Sequence, residues 1–193
     1  ADPLFMVGAV AVGMFSQPQI GVTIALAHYI SCILVGFTLR FYNPQQNNQD
    51  TISKQNYCSN IIRRAFNQLY EARKKDGRPF GQLMGDSIKE SVNTLLGIGG
   101  FIIFFSVLTK LLHLTRITNI IASLIKLALS PFNFNNSLFS PIISGLFEIT
   151  NGCNLVSQTS APLVQKLIIT SGIIAWSGFS VHAQVAAMIK GTD

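Results

Sequence analysis

A chain of 193 residues can bury a sizeable core, yet only 11% of this one is charged and 49% is hydrophobic, with a mean hydropathy of +0.42. Soluble domains carry about 25% charged residues, so the composition excludes an ordinary water-facing surface and predicts an all-α, polytopic membrane protein. The net charge of +6 does not point to nucleic acid: nine of the fourteen Lys and Arg residues and five of the eight acidic ones crowd into positions 40–90. A basic loop between apolar blocks is what the positive-inside rule puts on the cytoplasmic side of a membrane.

The opening, ADPLFMVGAVAVGMF, has no initiator Met and no charged region ahead of its apolar run. It reads as entry partway through a membrane domain, not as a signal peptide. Positions 3–15 are too few for a span of about 20 residues, and SQPQ with Pro18 breaks the run. Positions 20–39 carry no formal charge and end at Arg40, Phe41 and Tyr42, the pattern of a transmembrane helix with an interfacial end. Residues 1–42 are thus one group of membrane segments.

Residues 43–90 form the basic cytoplasmic loop, beginning with the polar linker NPQQNNQDT. Within it, Ile61, Ile62, Ala65, Phe66, Leu69 and Tyr70 recur at helical spacing. Arg63, Arg64, Arg73 and Lys74 lie largely off that stripe, and Gly77 and Pro79 end it. This predicts an amphipathic helix over 58–76, either packed on the protein's own cytoplasmic face or lying on anionic headgroups.

Residues 91–193 form the C-terminal membrane region. A second span is expected at 95–114, where GIGG (97–100) permits close helix packing and Lys110 can snorkel. The run 117–129 is interrupted by Lys126 and suits a tilted, interfacial or broken span; SPFNFNNS (130–137) is a turn-rich break. Two interrupted apolar segments follow, 138–149 and 163–189, the second broken by WSGFSVHAQ. Short, interrupted apolar segments are the sequence mark of a transporter's binding site, and interrupted or re-entrant half-helices are expected here.

Glu148 ends the first of these segments in GLFEITNGCN. A charge at membrane depth costs about 2.5–3.5 kcal/mol on insertion scales, so such an acid faces a polar cavity, pairs with a cation or holds a proton. The alternative places it at a headgroup interface. Thr150, Asn151, Asn154, Ser157 and Gln158 suit a polar pocket, and Gly152 is read as the helix break. In the second segment Thr170, Ser177 and Gln184 recur every seven residues, with Ser180 three after Ser177. That polar stripe either faces a cavity or bonds to neighbouring helices. His182 lies off the stripe unless a break at Gly178 frees it to meet a substrate or take a proton; a structural role is the alternative.

His28 and His113 are read as structural and Lys166 as an interfacial anchor. Cys32, Cys58 and Cys153 are widely spaced with no CxxC pair, so neither a disulfide framework nor a zinc site is indicated. No hydrolase, metalloprotease or nucleotide-binding motif is present. The chain is therefore not read as an enzyme, and no cofactor is expected.

The stretches PLFMVGAVAVGMF, RPFGQLMGDSIKESVNTLLGIGGFIIFFSVL, GLFEITNGCN and GFSVHAQV cover most of the chain. In that order they resemble the sporulation members of the nucleoside-recognition, or Gate, group of membrane proteins. Those proteins are longer, with membrane segments upstream. The resemblance thus implies a C-terminal half with a non-native residue or two at each end. It further implies re-entrant half-helices similar to those of concentrative nucleoside transporters. The activity it implies is movement of dipicolinic acid across the outer forespore membrane. By resemblance, Glu148, Thr150, Asn151 and Gly152 fall on the group's E-(I/M)-T-N-G stretch, and Ser180, His182 and Gln184 on its G-(F/L/I)-S-V-x-x-Q stretch.

The expected function is thus that of a carrier, or half of one, for a small anionic dicarboxylate held at half-helix ends in a polar cavity. Its expected partners are that solute and the lipid bilayer, with no nucleic acid; a homo-oligomer is compatible with the sequence. An ionised Glu148 would repel a dianion. Either it is protonated when solute binds, which implies proton coupling, or it orients amide donors without touching the solute. The alternatives are a nucleoside-type carrier, or a non-transporting scaffold that recruits partners through the basic loop.

Overall fold

The computed structural model describes residues 2–42 and 61–189, and every regular element among them is helical. The linker at 43–51, Cys58 and the first residues of the amphipathic helix lie outside the described residues. The chain divides into two compact units, one of Ala1–Leu39 with Leu96–Asp193 and the other of Arg40–Leu95.

In the Arg40–Leu95 unit the amphipathic helix, α2, runs Ile61–Asp76. Its apolar residues Ile62, Phe66, Leu69 and Tyr70 are 65–71% exposed. After Gly77 the corner is held by Arg78, whose guanidinium donates to Asp76 (2.6 Å) and Asp86 (2.7 Å), while Arg73 donates to the Arg78 carbonyl (2.8 Å). The hydrogen bond from Arg78 holds the Asp76 carboxyl below its ordinary range.

Helix α3 then runs unbroken through Phe80–Leu114, 35 residues. It begins well before the predicted span at 95, because the stretch 80–94 contains no Pro and carries Phe80, Leu83, Met84, Ile88 and Val92 at helical spacing.

The other unit opens with Leu4–Met14, wound as a π-helix whose first turn is capped by Asp2 accepting from the Phe5 N–H at 2.6 Å. Helix α1 is Gln19–Arg40 and α4 is Ile117–Leu129. Two short 3-10 turns (Ser130–Phe132 and Asn136–Leu138) lead into α5 (Phe139–Phe147), α6 (Ile149–Ser157), α7 (Leu163–Trp176) and α8 (Gly178–Ile189). By length and composition three stretches can cross a membrane: Gln19–Arg40, Phe80–Leu114 and Leu163–Ile189, the last containing the α7–α8 break. The predicted membrane-helical class holds.

The core joins Met6, Val10 and Ala11 of the π-helix to Ile20 and Ile24 of α1, and to Ile149, Cys153, Val156, Ile173 and Ile174 of α6 and α7. Cys153 is buried, whereas Cys32 is exposed along α1. Added Cβ atoms on Gly97, Gly99 and Gly100 would meet nothing within 4 Å, so the GIGG stretch packs against no neighbour among the described residues.

The chain doubles back between α5 and α6. Residues 145 and 152 would stand roughly 10 Å apart on a straight helix. Instead, a Cβ on Gly152 would collide with the Gly145 backbone, its amide N lying only 2.7 Å away. Gly152 is therefore not the helix break that its neighbours suggested. It sits inside α6 and is glycine because two helix backbones meet there.

Candidate functional site

The break between α5 and α6 is Glu148 itself, in extended backbone (φ −144°, ψ 120°). From this position its carboxylate folds onto the helix that follows. Oε1 accepts from the Thr150 N–H at 3.0 Å and Oε2 from the Asn151 N–H at 2.7 Å. An acid in this place satisfies two of the orphan amides of a helix N-terminus and meets its positive dipole end. The side chain is 1% exposed. The amides near Asn151 are thus occupied by the protein's own carboxylate.

The second break lies where Ser177 (φ 68°) and Gly178 (φ 76°) are left-handed and the Ser177 N–H closes onto the Ile173 carbonyl at 2.9 Å. Glycine is required at 178 for space as well as for φ. A Cβ there would lie 3.2 Å from both the Ile149 N and the Phe147 O, and 3.3 Å from the Glu148 Cα. The two breaks therefore touch, backbone against backbone.

The loose ends around this crossing are tied down by side chains. The Trp176 indole donates to the Leu146 carbonyl at the end of α5 (3.1 Å), and Lys166 donates to the Ser157 carbonyl at the end of α6 (2.9 Å). Lys166, expected as an interfacial anchor, acts here as a helix cap.

Beside the crossing is a chamber of about 340 Å³, lined by Glu148, Thr150, Ser177, Ser180 and Gln184 with Ile98 and Ile102 of α3 and with Asp2 and Phe5. Five of the eight predicted site residues are thus brought together. Ser180 is fully buried and its hydroxyl has no hydrogen-bond partner. Thr170 is buried and equally unpartnered, but it does not line the chamber; the stripe of Thr170, Ser177 and Gln184 is interrupted by the break.

The other three lie elsewhere. The His182 Nδ1–H donates to the Gly178 carbonyl at 2.7 Å, and its ring rests 4.9 Å from that of Trp176, outside the chamber lining. Asn151 and Asn154 line a different cavity, of about 450 Å³, on another side of α6. Also in that cavity are residues not selected from the sequence: Ser106, Thr109, Lys110 and His113 of α3 and Ser140 and Ser144 of α5. Their signal was readable, since 106, 109, 110 and 113 form a polar i, i+3, i+4, i+7 stripe on an otherwise apolar helix. A third, larger cavity of about 560 Å³ between α5 and α7 is lined by apolar side chains such as Phe134, Leu146 and Ile169.

No protein-family profile matches the sequence, and no solved structure matches it. A curated protein does: the sporulation integral membrane protein YlbJ of Bacillus subtilis (strain 168) is 42% identical over 193 residues, all of this chain and 47% of its own length. The chain therefore spans about half the length of the curated relative it matches. Identity at this level over the full chain, with three stretches able to cross a bilayer, leads to one conclusion: the chain is an integral membrane protein related throughout its length to YlbJ.

Proposed function

We propose that this protein is a membrane carrier, or the half of one, acting in sporulation on a small anionic solute of which dipicolinate is the leading candidate. The observation that carries the reading is the contact of two helix breaks, Gly178 against the backbone of 147–149, within otherwise apolar helices. Irregular backbone at membrane depth is tolerated only where it is buried in protein or lines a polar space, and carriers place their solute at such points. The half-helices α6 and α8 start from this one contact, so a shift of either reshapes the chamber beside it. The sporulation role is supported by the name of the relative, and dipicolinate and the outer forespore membrane by the motif resemblance.

Glu148 and Asp2 line the crossing chamber and no Lys or Arg does, so this space suits a proton better than an anion. Glu148 is accordingly the coupling group of the proposed cycle.

The test is dipicolinate accumulation by the protein, expressed at full length, in sealed vesicles with and without a pH gradient. Gradient-dependent accumulation is expected, and Glu148→Gln should remove the dependence. Accumulation unaffected by the gradient or by Glu148→Gln rejects the coupling role. No accumulation in either condition rejects the carrier for this solute, and displacement by nucleosides alone assigns it to nucleosides instead.

The exposed apolar stripe of α2 supports a second reading, recruitment of partners through the basic unit. Loss of a copurifying protein on deletion of Ile61–Asp76, with transport absent throughout, would favour it.

A further inference from the structure

We infer that the second polar cavity, on the side of α6 away from the Glu148 chamber, is a carboxylate-binding subsite with Lys110 as its cation. Three polar stripes converge on it: Ser106, Lys110 and their neighbours on α3, Ser140 and Ser144 on α5, and Asn151 and Asn154 on α6. Its volume of about 450 Å³ falls in the roughly 300–1,000 Å³ range of small-molecule sites. The charge is one-sided. One ammonium and no carboxylate line it, and the ion pairs among the described residues all lie between Arg73 and Asp86, so Lys110 is in none of them. The Glu148 chamber has the opposite character.

Counting donors sharpens the assignment. The Ser106 and Thr109 hydroxyls donate to their own helix, at the Ile102 carbonyl (2.6 Å) and the Phe105 carbonyl (2.8 Å). The Asn151 amide gives one N–H to the Ser106 oxygen at 2.6 Å. The Asn154 side-chain oxygen accepts from Gln158 (3.3 Å), which leaves its NH₂ as a donor. Ser144 is 1% exposed and its hydroxyl has no partner, an arrangement that costs stability unless something in the cavity accepts from it. The Lys110 ammonium, the Asn154 NH₂ and the buried Ser144 hydroxyl, beside the Ser140 hydroxyl and the His113 ring, thus face a space without a competing acid. A carboxylate, with two oxygens and about four lone-pair sites, accepts from all three.

This subsite rests on the carrier reading only for the choice of solute, and it is tested without transport. The full-length protein is placed in phosphatidylcholine nanodiscs and acylated at lysine, and the peptides carrying Lys110 and Lys126 are followed by mass spectrometry. Saturating dipicolinate should slow acylation of Lys110 about tenfold while leaving Lys126 unchanged, and the uncharged dimethyl ester should slow neither. Lys110→Gln and Ser144→Ala should each weaken dipicolinate binding by about tenfold, with Lys110→Arg retaining most of it. Equal acylation with and without dipicolinate overturns the inference. So does slowing that requires phosphatidylglycerol and not dipicolinate, which would make Lys110 a headgroup anchor. Protection of Lys110 without vesicle accumulation leaves the subsite standing and removes the carrier; accumulation without protection does the reverse.

Discussion

Glu148 and Ser180 line the same chamber with opposite degrees of satisfaction. Both carboxylate oxygens accept backbone N–H groups, whereas the Ser180 hydroxyl, fully buried, bonds to nothing. A residue that holds the fold and a residue that waits for a ligand should therefore separate on mutation. Removing the Glu148 cap strips a helix N-terminus inside the core, and Glu148→Ala should cost about 1–2 kcal/mol, read as a lower melting temperature in detergent. Ser180→Ala deletes an unsatisfied buried hydroxyl and should change stability by less than about 1 kcal/mol, or raise it. A larger loss on Ser180→Ala would show that the hydroxyl is structural. At this scale the sequence disclosed that an acid stood beside a break in an apolar run. It did not disclose which residue turned the chain: Gly152 is the better helix breaker by propensity, but the break falls at Glu148, where the carboxylate can replace the lost helical bonds.

At the scale of helices, the α5–α6 hairpin and the α7–α8 break depend on three glycines without slack. A Cβ at 152 would run into the Gly145 backbone, one at 145 would lie 2.6 Å from Ile173 side-chain carbons, and one at 178 would add a positive φ to the close approach on 147–149. Gly152→Ala should therefore cost about 1–3 kcal/mol or more, because the atom it meets is backbone and not a movable side-chain end. Gly172→Ala, open within 4 Å, is the matched control in the same unit and should be near neutral, both read as melting temperature in one detergent. Equal effects at the two positions would mean that the hairpin does not close as described. The breaks were legible because a helix that crosses a bilayer unbroken keeps its apolar run to full length, and these runs stop short in small, polar residues. Two other features carried a readable signal at helical spacing: Phe80, Leu83, Met84, Ile88 and Val92 ahead of the apolar run, and the polar stripe of Ser106, Thr109, Lys110 and His113 within it. The GIGG stretch misled in the opposite direction, since small residues permit close packing but do not supply the neighbour.

For the whole molecule, the governing asymmetry is charge. The Arg40–Leu95 unit lies in sequence between two long apolar stretches and holds nine of the fourteen Lys and Arg residues; the membrane-crossing helices Gln19–Arg40 and Phe80–Leu114 are largely bare, their most apolar windows only 17% and 6% buried. Bare apolar surface of that extent is stable only in lipid or against further protein, so insertion and orientation are the fold-determining events for this chain. The positive-inside rule predicts a cytoplasmic basic unit. Gln68 on the exposed face of α2 reports on this directly. In a variant with Cys32, Cys58 and Cys153 replaced by Ala, Gln68→Cys should react with a membrane-impermeant maleimide in inverted vesicles and not in right-side-out ones. Changing Arg63, Arg64, Arg73, Lys74 and Lys75 together to Gln should give labelling from both sides, because the bias acts through these charges and not through the apolar spans. Labelling confined to right-side-out vesicles would reverse the orientation.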